Sequence, residues 1–250
     1  NESSSSSVGK IMFVTFFEGM AVMATEILSA RMVSPVFGAS ITSWSFVLGI
    51  TLLGLAGGYF FGGVLCRKGK ANVGVILGIT GIWLALLPLF TTRLLEWTMY
   101  LGYYPGLITS LLLVLFPTLF LLGTLSPVLV HLIDQKLKIT GLSSGRIFSV
   151  STVGGIVGAL LFGLYMLPEV GISISFYIMG AVLFGLSFLF PYGRLKSGGG
   201  AVLLLLVLMM SHNLLKANNS NKILYASEGL LGQVKVVQSE FMVNGKMEVL

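Results

Sequence analysis

Charge is what this sequence has least of. Only 10% of its residues are Asp, Glu, Lys or Arg, where a water-facing domain carries about 25%. So few charges cannot cover a surface in water, which excludes a soluble domain for the chain as a whole. Cysteine is nearly absent. Cys66 stands alone, so there is neither an intrachain disulfide nor a thiolate metal cluster. The two histidines, His131 and His212, lie far apart, each near a helix end, and offer no metal-ligand spacing. A net charge of +6 is present. It sits in short loops between apolar runs, as a positive-inside bias predicts, and so does not point to nucleic acid as a partner.

What the sequence does have is long apolar runs. Its composition is 55% hydrophobic and its mean hydropathy is +0.96. The periodicity and breaks predict helices over about Ile11–Val33, Ile41–Cys66, Val73–Phe90, Leu107–Ile133, Ile147–Leu167 and Ile172–Phe190. Each is long enough, or nearly so, for a hydrocarbon layer of about 30 Å. A seventh run, Ala201–Leu215, is shorter: some fifteen residues make about 22 Å of helix. The segment Thr91–Gly106, with Trp97, Tyr100, Tyr103 and Tyr104, reads as an interfacial connection at headgroup level.

The expected fold class is an all-α polytopic membrane protein with six to seven transmembrane helices, followed by the start of a small β-rich soluble domain. The expected domains are a polar disordered lead-in over 1–10, a transmembrane helical domain over 11–215 and a truncated hairpin-containing domain over 216–250. In the last of these, Gln233–Ser239 nearly alternates polar and apolar. Phe241–Val243 and Lys246–Leu250 flank Asn244-Gly245, a two-residue hairpin turn. Ile223–Ala226 is a further short strand candidate.

Lysine and arginine set the topology. Lys10, the 67–70 loop, the 134–146 loop and the 194–196 loop together collect nine basic residues on one side. The amino terminus is therefore expected inside, in an integral protein of the bacterial cytoplasmic membrane. Six spans keep the tail inside; seven put it outside.

Three groups of residues stand out. Glu18, Glu26 and Arg31 are charges inside the first apolar helix, where a charge is costly and must face protein or water. They read either as a proton or cation site or as a structural group near the interface, with Arg31 snorkelling. Gly54, Gly58 and Gly62 form one small-residue stripe, and Gly155, Ala159 and Gly163 form another. Such stripes let helices approach closely, and the two are expected to pack on each other. Pro117 and Pro127 remove backbone donors from the fourth helix and predict kinks there.

Four stretches carry a likeness to a known family. They are Gly19–Arg31; Val36–Ser40 with the Gly57–Gly63 helix end; Phe116–Thr124 with Pro127; and Gly145–Gly158 with Pro168–Gly171. In order and spacing they resemble the membrane region of the spermidine synthase-like proteins, in which a multi-helix module precedes an aminopropyltransferase-type domain. The likeness covers about Ile11–Phe190, and Gly232–Val237 is similar to the first strand of the aminopropyltransferase β-domain. Glu18 is not part of it. The resemblance implies a membrane anchor for a polyamine-forming domain that uses decarboxylated S-adenosylmethionine as co-substrate. This chain carries neither the glycine-rich turn for an adenosyl cofactor nor the acidic pair for an amine, so no catalytic or cofactor-binding residue is assigned. The alternatives are a transporter of a polyamine or another small cation, and a non-catalytic subunit of a homo-oligomer or larger membrane complex. The lipid bilayer is the partner common to all of them.

Overall fold

The computed structural model describes residues 2–190 and four strand segments beyond them. Residues 2–190 are helical throughout apart from short connections. The helices are α1 (Glu2–Phe37), α2 (Ile41–Arg67), α3 (Val73–Met99), α4 (Tyr103–Leu137), α5 (Thr140–Leu160) and α6 (Leu167–Ser187), with a π-helical turn, Leu161–Met166, joining α5 to α6. Five segments are long and apolar enough to cross a membrane; the last is the whole of Thr140–Ser187. The chain is an integral membrane protein by that measure.

Local chemistry sets the helix ends. Gly38, at φ +76°, follows the last residue of α1, a backbone state a side chain resists. Ser40 then caps α2 by accepting the Ser43 N–H, and Asn72 caps α3 by accepting the Val75 N–H. Lys138 takes the left-handed conformation after α4 and donates its N–H to the Asp134 carbonyl.

Several boundaries differ from the expected ones. The lead-in is part of α1, which begins at Glu2. Residues 2–10 contain no proline, and extending an existing helix needs no new nucleus. Thr91–Met99 continues α3 and is not a connection; only Tyr100–Gly102 separates it from α4. Thr91, Leu95 and Thr98 repeat at helical spacing and are buried, so this stretch packs as helix. The basic loop expected over 134–146 is only Lys138 and Ile139, and Arg146 lies inside α5. α4 runs on through Pro117 and Pro127. The expected seventh helix, Ala201–Leu215, lies outside the described residues.

Glycine decides which helices pair. The expected match of the two stripes is wrong. The α2 stripe packs on α4: a Cβ on Gly58 would meet the Phe120 carbonyl and lie 2.9 Å from Gly123 Cα, and one on Gly62 would meet Thr124 and Pro127. The α5 stripe packs on α1: Gly154 faces the Phe16 carbonyl and Gly158 faces Met20. The tight side of α5 is thus Gly154 and Gly158. Gly155 touches Met23, Gly163 only the tip of Ile27, and Ala159 is half-buried. The third close pair is Gly81 of α3 against Gly180 of α6. Spacing alone marks a face as small; it does not say whose backbone comes to it.

These contacts also give directions. Along α1 and α5 the contacting numbers rise together, as they do along α2 and α4, so each of these pairs is parallel. Gly81 meets Gly180 and Phe184 while Gly180 meets Ala85, so α3 and α6 run antiparallel. The chain therefore reverses between α5 and α6. The break is Gly171, whose φ of 81° and ψ of 173° are non-helical within α6.

The outer faces are apolar. Leu52, Phe60, Leu160 and Tyr165 are exposed, as lipid-facing side chains are. Past the bundle, Ile223–Gly229 pairs antiparallel with Gly232–Val237, and Glu240–Val243 with Lys246–Val249. These are two separate two-stranded ribbons. The expected Asn244-Gly245 turn lies outside the described residues.

Candidate functional site

Glu18 sits on α1 near the middle of the bundle and is 2% exposed. Its carboxylate is held from two sides. Ser126 of α4 donates its hydroxyl to Oε1 at 2.9 Å, and Ser151 of α5 donates to Oε2 at 2.8 Å. A buried carboxylate without such donors costs several kcal/mol, of the order seen for unsatisfied charge. Two hydroxyl donors offset part of that, and they tie three helices to one side chain.

The glycines make this possible. Gly19 is adjacent to Glu18, and a Cβ there would run into the Ser151 backbone carbonyl. With Gly154 and Gly158 it lets α5 approach until the Ser151 hydroxyl reaches the carboxylate. On the other side Gly58 draws α2 against α4 at Phe120 and Gly123, and Gly62 at Thr124 and Pro127, next to Ser126.

Beside Ser126 a cleft of about 450 Å³ opens between α2, α4 and α5. Ser126, which is buried, and Tyr59, which is exposed, are among its lining residues. Toward its mouth stand His131, Asp134, Thr140 and Ser144. Asp134 accepts hydrogen bonds from Thr140 at 3.2 Å and Ser143 at 3.3 Å, which fixes it across the start of α5. Gln135 and His131 share a 2.9 Å hydrogen bond one turn apart. Eight residues of α4 separate Ser126 from Asp134, about 12 Å of helix. The cleft thus has one acid in its lining, Asp134, and is linked to a second, Glu18, through the Ser126 hydroxyl.

The other charges singled out from sequence do not join this cleft. Glu26 is buried at 7% exposure two turns further along α1 and is not among the residues lining it. Arg31 lies near the end of α1 and lines a separate pocket of about 190 Å³ with Ser34, Ser43 and Trp44. Among the described residues no three His, Cys, Asp or Glu side chains form a metal-binding group. Ser126, Ser151, Tyr59 and Asp134 carry no motif and were invisible in the sequence. Only the Glu18 carboxyl at lipid depth pointed to them, since such a group needs donors.

No protein-family model matches the chain, and no curated protein or solved structure matches it.

Removing both donors tests the assembly. Ser126→Ala with Ser151→Ala should lower stability in detergent by about 2–5 kcal/mol if the carboxyl stays charged. Adding Glu18→Leu to that background should recover most of the loss, because an apolar replacement of the whole cluster leaves nothing unsatisfied. Thermal unfolding of the three variants measures it. Equal stability of the double-serine variant and the parent would mean that the hydrogen bonds do not hold the carboxylate.

Proposed function

We propose that this bundle is the membrane module of a spermidine synthase-like protein and that the module itself binds a small organic cation of the polyamine class. The single observation that carries the binding reading is the buried Glu18 carboxylate, held by Ser126 and Ser151 behind a cleft that opens past Asp134. An ammonium group in a dry cavity is best matched by charge-assisted hydrogen bonds from carboxylates. Asp134 and Ser126, the α4 serine that donates to Glu18, are about 12 Å apart along α4, which suits an elongated amine charged at both ends. The hydroxyls and the aromatic wall of Tyr59 complete the lining.

The finer topology belongs to the same proposal. A 48-residue segment, Thr140–Ser187, makes about 72 Å of helix, more than twice the hydrocarbon thickness. The reversal at Gly171 divides it into two crossings, six for residues 2–190 in all, with the amino terminus and the mouth of the cleft on the cytoplasmic side. The basic residues Lys10, Lys68, Lys70, Lys136 and Lys138 favour that orientation.

A second role is anchorage. The paired strands beyond the bundle and the likeness of Gly232–Val237 to a family strand favour a tethered aminopropyltransferase-type β-rich domain. Decarboxylated S-adenosylmethionine would be its co-substrate, bound outside this chain.

Calorimetric titration of spermidine into the purified chain in nanodiscs tests the binding role. Glu18→Gln should weaken binding about tenfold to a hundredfold, the worth of one charge-assisted hydrogen bond, and Asp134→Asn should weaken it less. Spermidine that fails to bind, or binds Glu18→Gln as tightly as the parent, removes the reading. For anchorage, a single cysteine at Ser227 in a Cys66→Ser background should be protected from a membrane-impermeant thiol reagent in intact cells. Ready labelling puts the ribbons outside and ends the case for a cytoplasmic transferase.

A further inference from the structure

Hydroxyls inside membrane helices normally donate back to the carbonyl one turn earlier. Most in this bundle do: Thr15 to Ile11, Thr80 to Ile76, Ser110 to Gly106, Thr118 to Val114 and Thr124 to Phe120. Thr25 and Ser29 of α1 do not. Both are 0% exposed, and neither hydroxyl has a hydrogen-bond partner among the described residues. Leaving such a group buried and unsatisfied costs about 1–3 kcal/mol each, so two on one helix call for an explanation.

Their position supplies it. At 100° per residue, Glu18, Thr25 and Ser29 fall within about 40° of one another on α1. Thr25 lies about 10 Å beyond Glu18 along the axis and Ser29 about 16 Å beyond it. Ser29 adjoins Ala30, which lines the pocket shared by Arg31, Ser34 and Ser43. That pocket is at the far end of the bundle from the cleft. It lies where α1 ends and α2 begins, near Tyr103 at the start of α4, which hydrogen-bonds Ser40 and Ser43. The cleft lies beside the end of α4. Glu18 therefore stands between two openings on opposite sides: its donor Ser126 lines the cleft, and a row of unpartnered hydroxyls runs the other way.

We infer that this row is a proton path across the bundle. A proton enters from the cleft and protonates the Glu18 carboxylate, whose Ser126 hydrogen bond turns aside as it binds. Glu18 then releases the proton to water hydrogen-bonded along Thr25 and Ser29, and it leaves through the Arg31–Ser34 pocket. Each step moves one proton and returns Glu18 to its carboxylate. Hydroxyls suit this work because each both donates and accepts. The titratable groups lining the cleft side are Tyr59, Cys66, His131 and Asp134, and Arg31 lines the exit pocket. The inference rests on the cleft reading above for its entrance and adds a second opening and the species that passes.

The test uses the purified full chain in liposomes with an entrapped pH dye and a potassium diffusion potential set by valinomycin. The parent chain should carry protons above the rate of protein-free vesicles. Thr25→Val with Ser29→Ala should fall to the protein-free rate, as should Glu18→Gln. Thr25→Ser, which keeps the hydroxyl, should retain the flux. The Thr25→Val, Ser29→Ala variant should also unfold at the same temperature as the parent or higher, because it deletes unsatisfied groups, and should still bind spermidine. No flux from the parent overturns the inference, as does undiminished flux from the double variant or loss of flux in Thr25→Ser. A parent that conducts protons but binds no spermidine leaves the path standing and removes the amine-binding reading; binding without flux does the reverse.

Discussion

A carboxylate at lipid depth must be supplied with donors by the protein, and this bundle is arranged to supply them to Glu18. Water can solvate a charge from any direction; a helix packed among helices receives only what its neighbours bring. Here the neighbours bring one hydroxyl each, Ser126 from α4 and Ser151 from α5. Neither serine is near Glu18 in the chain, so the cluster exists only when α1, α4 and α5 are assembled. Two of them, α4 and α5, also frame the cleft together with α2, and Ser126 both donates to the carboxylate and lines the cleft.

Assembly in lipid lacks the driving force that buries apolar side chains in water, since the surrounding tails are as apolar as leucine. Close backbone approach takes its place. Gly58 against Gly123, Gly154 against Phe16, Gly158 against Met20 and Gly81 against Gly180 bring the helices near enough for dispersion to accumulate. Two of these contacts, at Phe16 and Met20, lie within a turn of Glu18 on α1 itself. Packing and polar satisfaction are therefore one event: a bulky side chain at Gly154 would push Ser151 away from the carboxylate as surely as it would separate the helices.

Much of the helical pattern was legible because apolar length is a strong signal. Ile41 as the start of α2 and Val73 as the start of α3 follow from the caps Ser40 and Asn72. The errors have physical causes. Trp97 and Tyr100 suggested an interface, which the continuous stripe of Thr91, Leu95 and Thr98 outweighed. Lys136, Lys138 and Arg146 suggested a long loop, but Asp134 bonds Thr140 and Ser143 and closes the turn after two residues. The break expected between Leu167 and Ile172 was not an error: Gly171 is the non-helical residue there. Of the site, Glu18 was legible by its cost. Its donors were not, because a serine that bonds across helices has the same sequence context as one that bonds its own backbone.

The central claim is that Glu18 is a buried carboxyl reachable from the cleft. Modification by a hydrophobic carbodiimide, read by mass spectrometry of the intact membrane-inserted chain, addresses it directly, since the reagent attacks carboxyls in apolar surroundings. The account predicts an adduct on Glu18 that forms in the membrane and is suppressed when spermidine fills the cleft. An unmodified Glu18, or an adduct whose yield spermidine leaves unchanged, would contradict it.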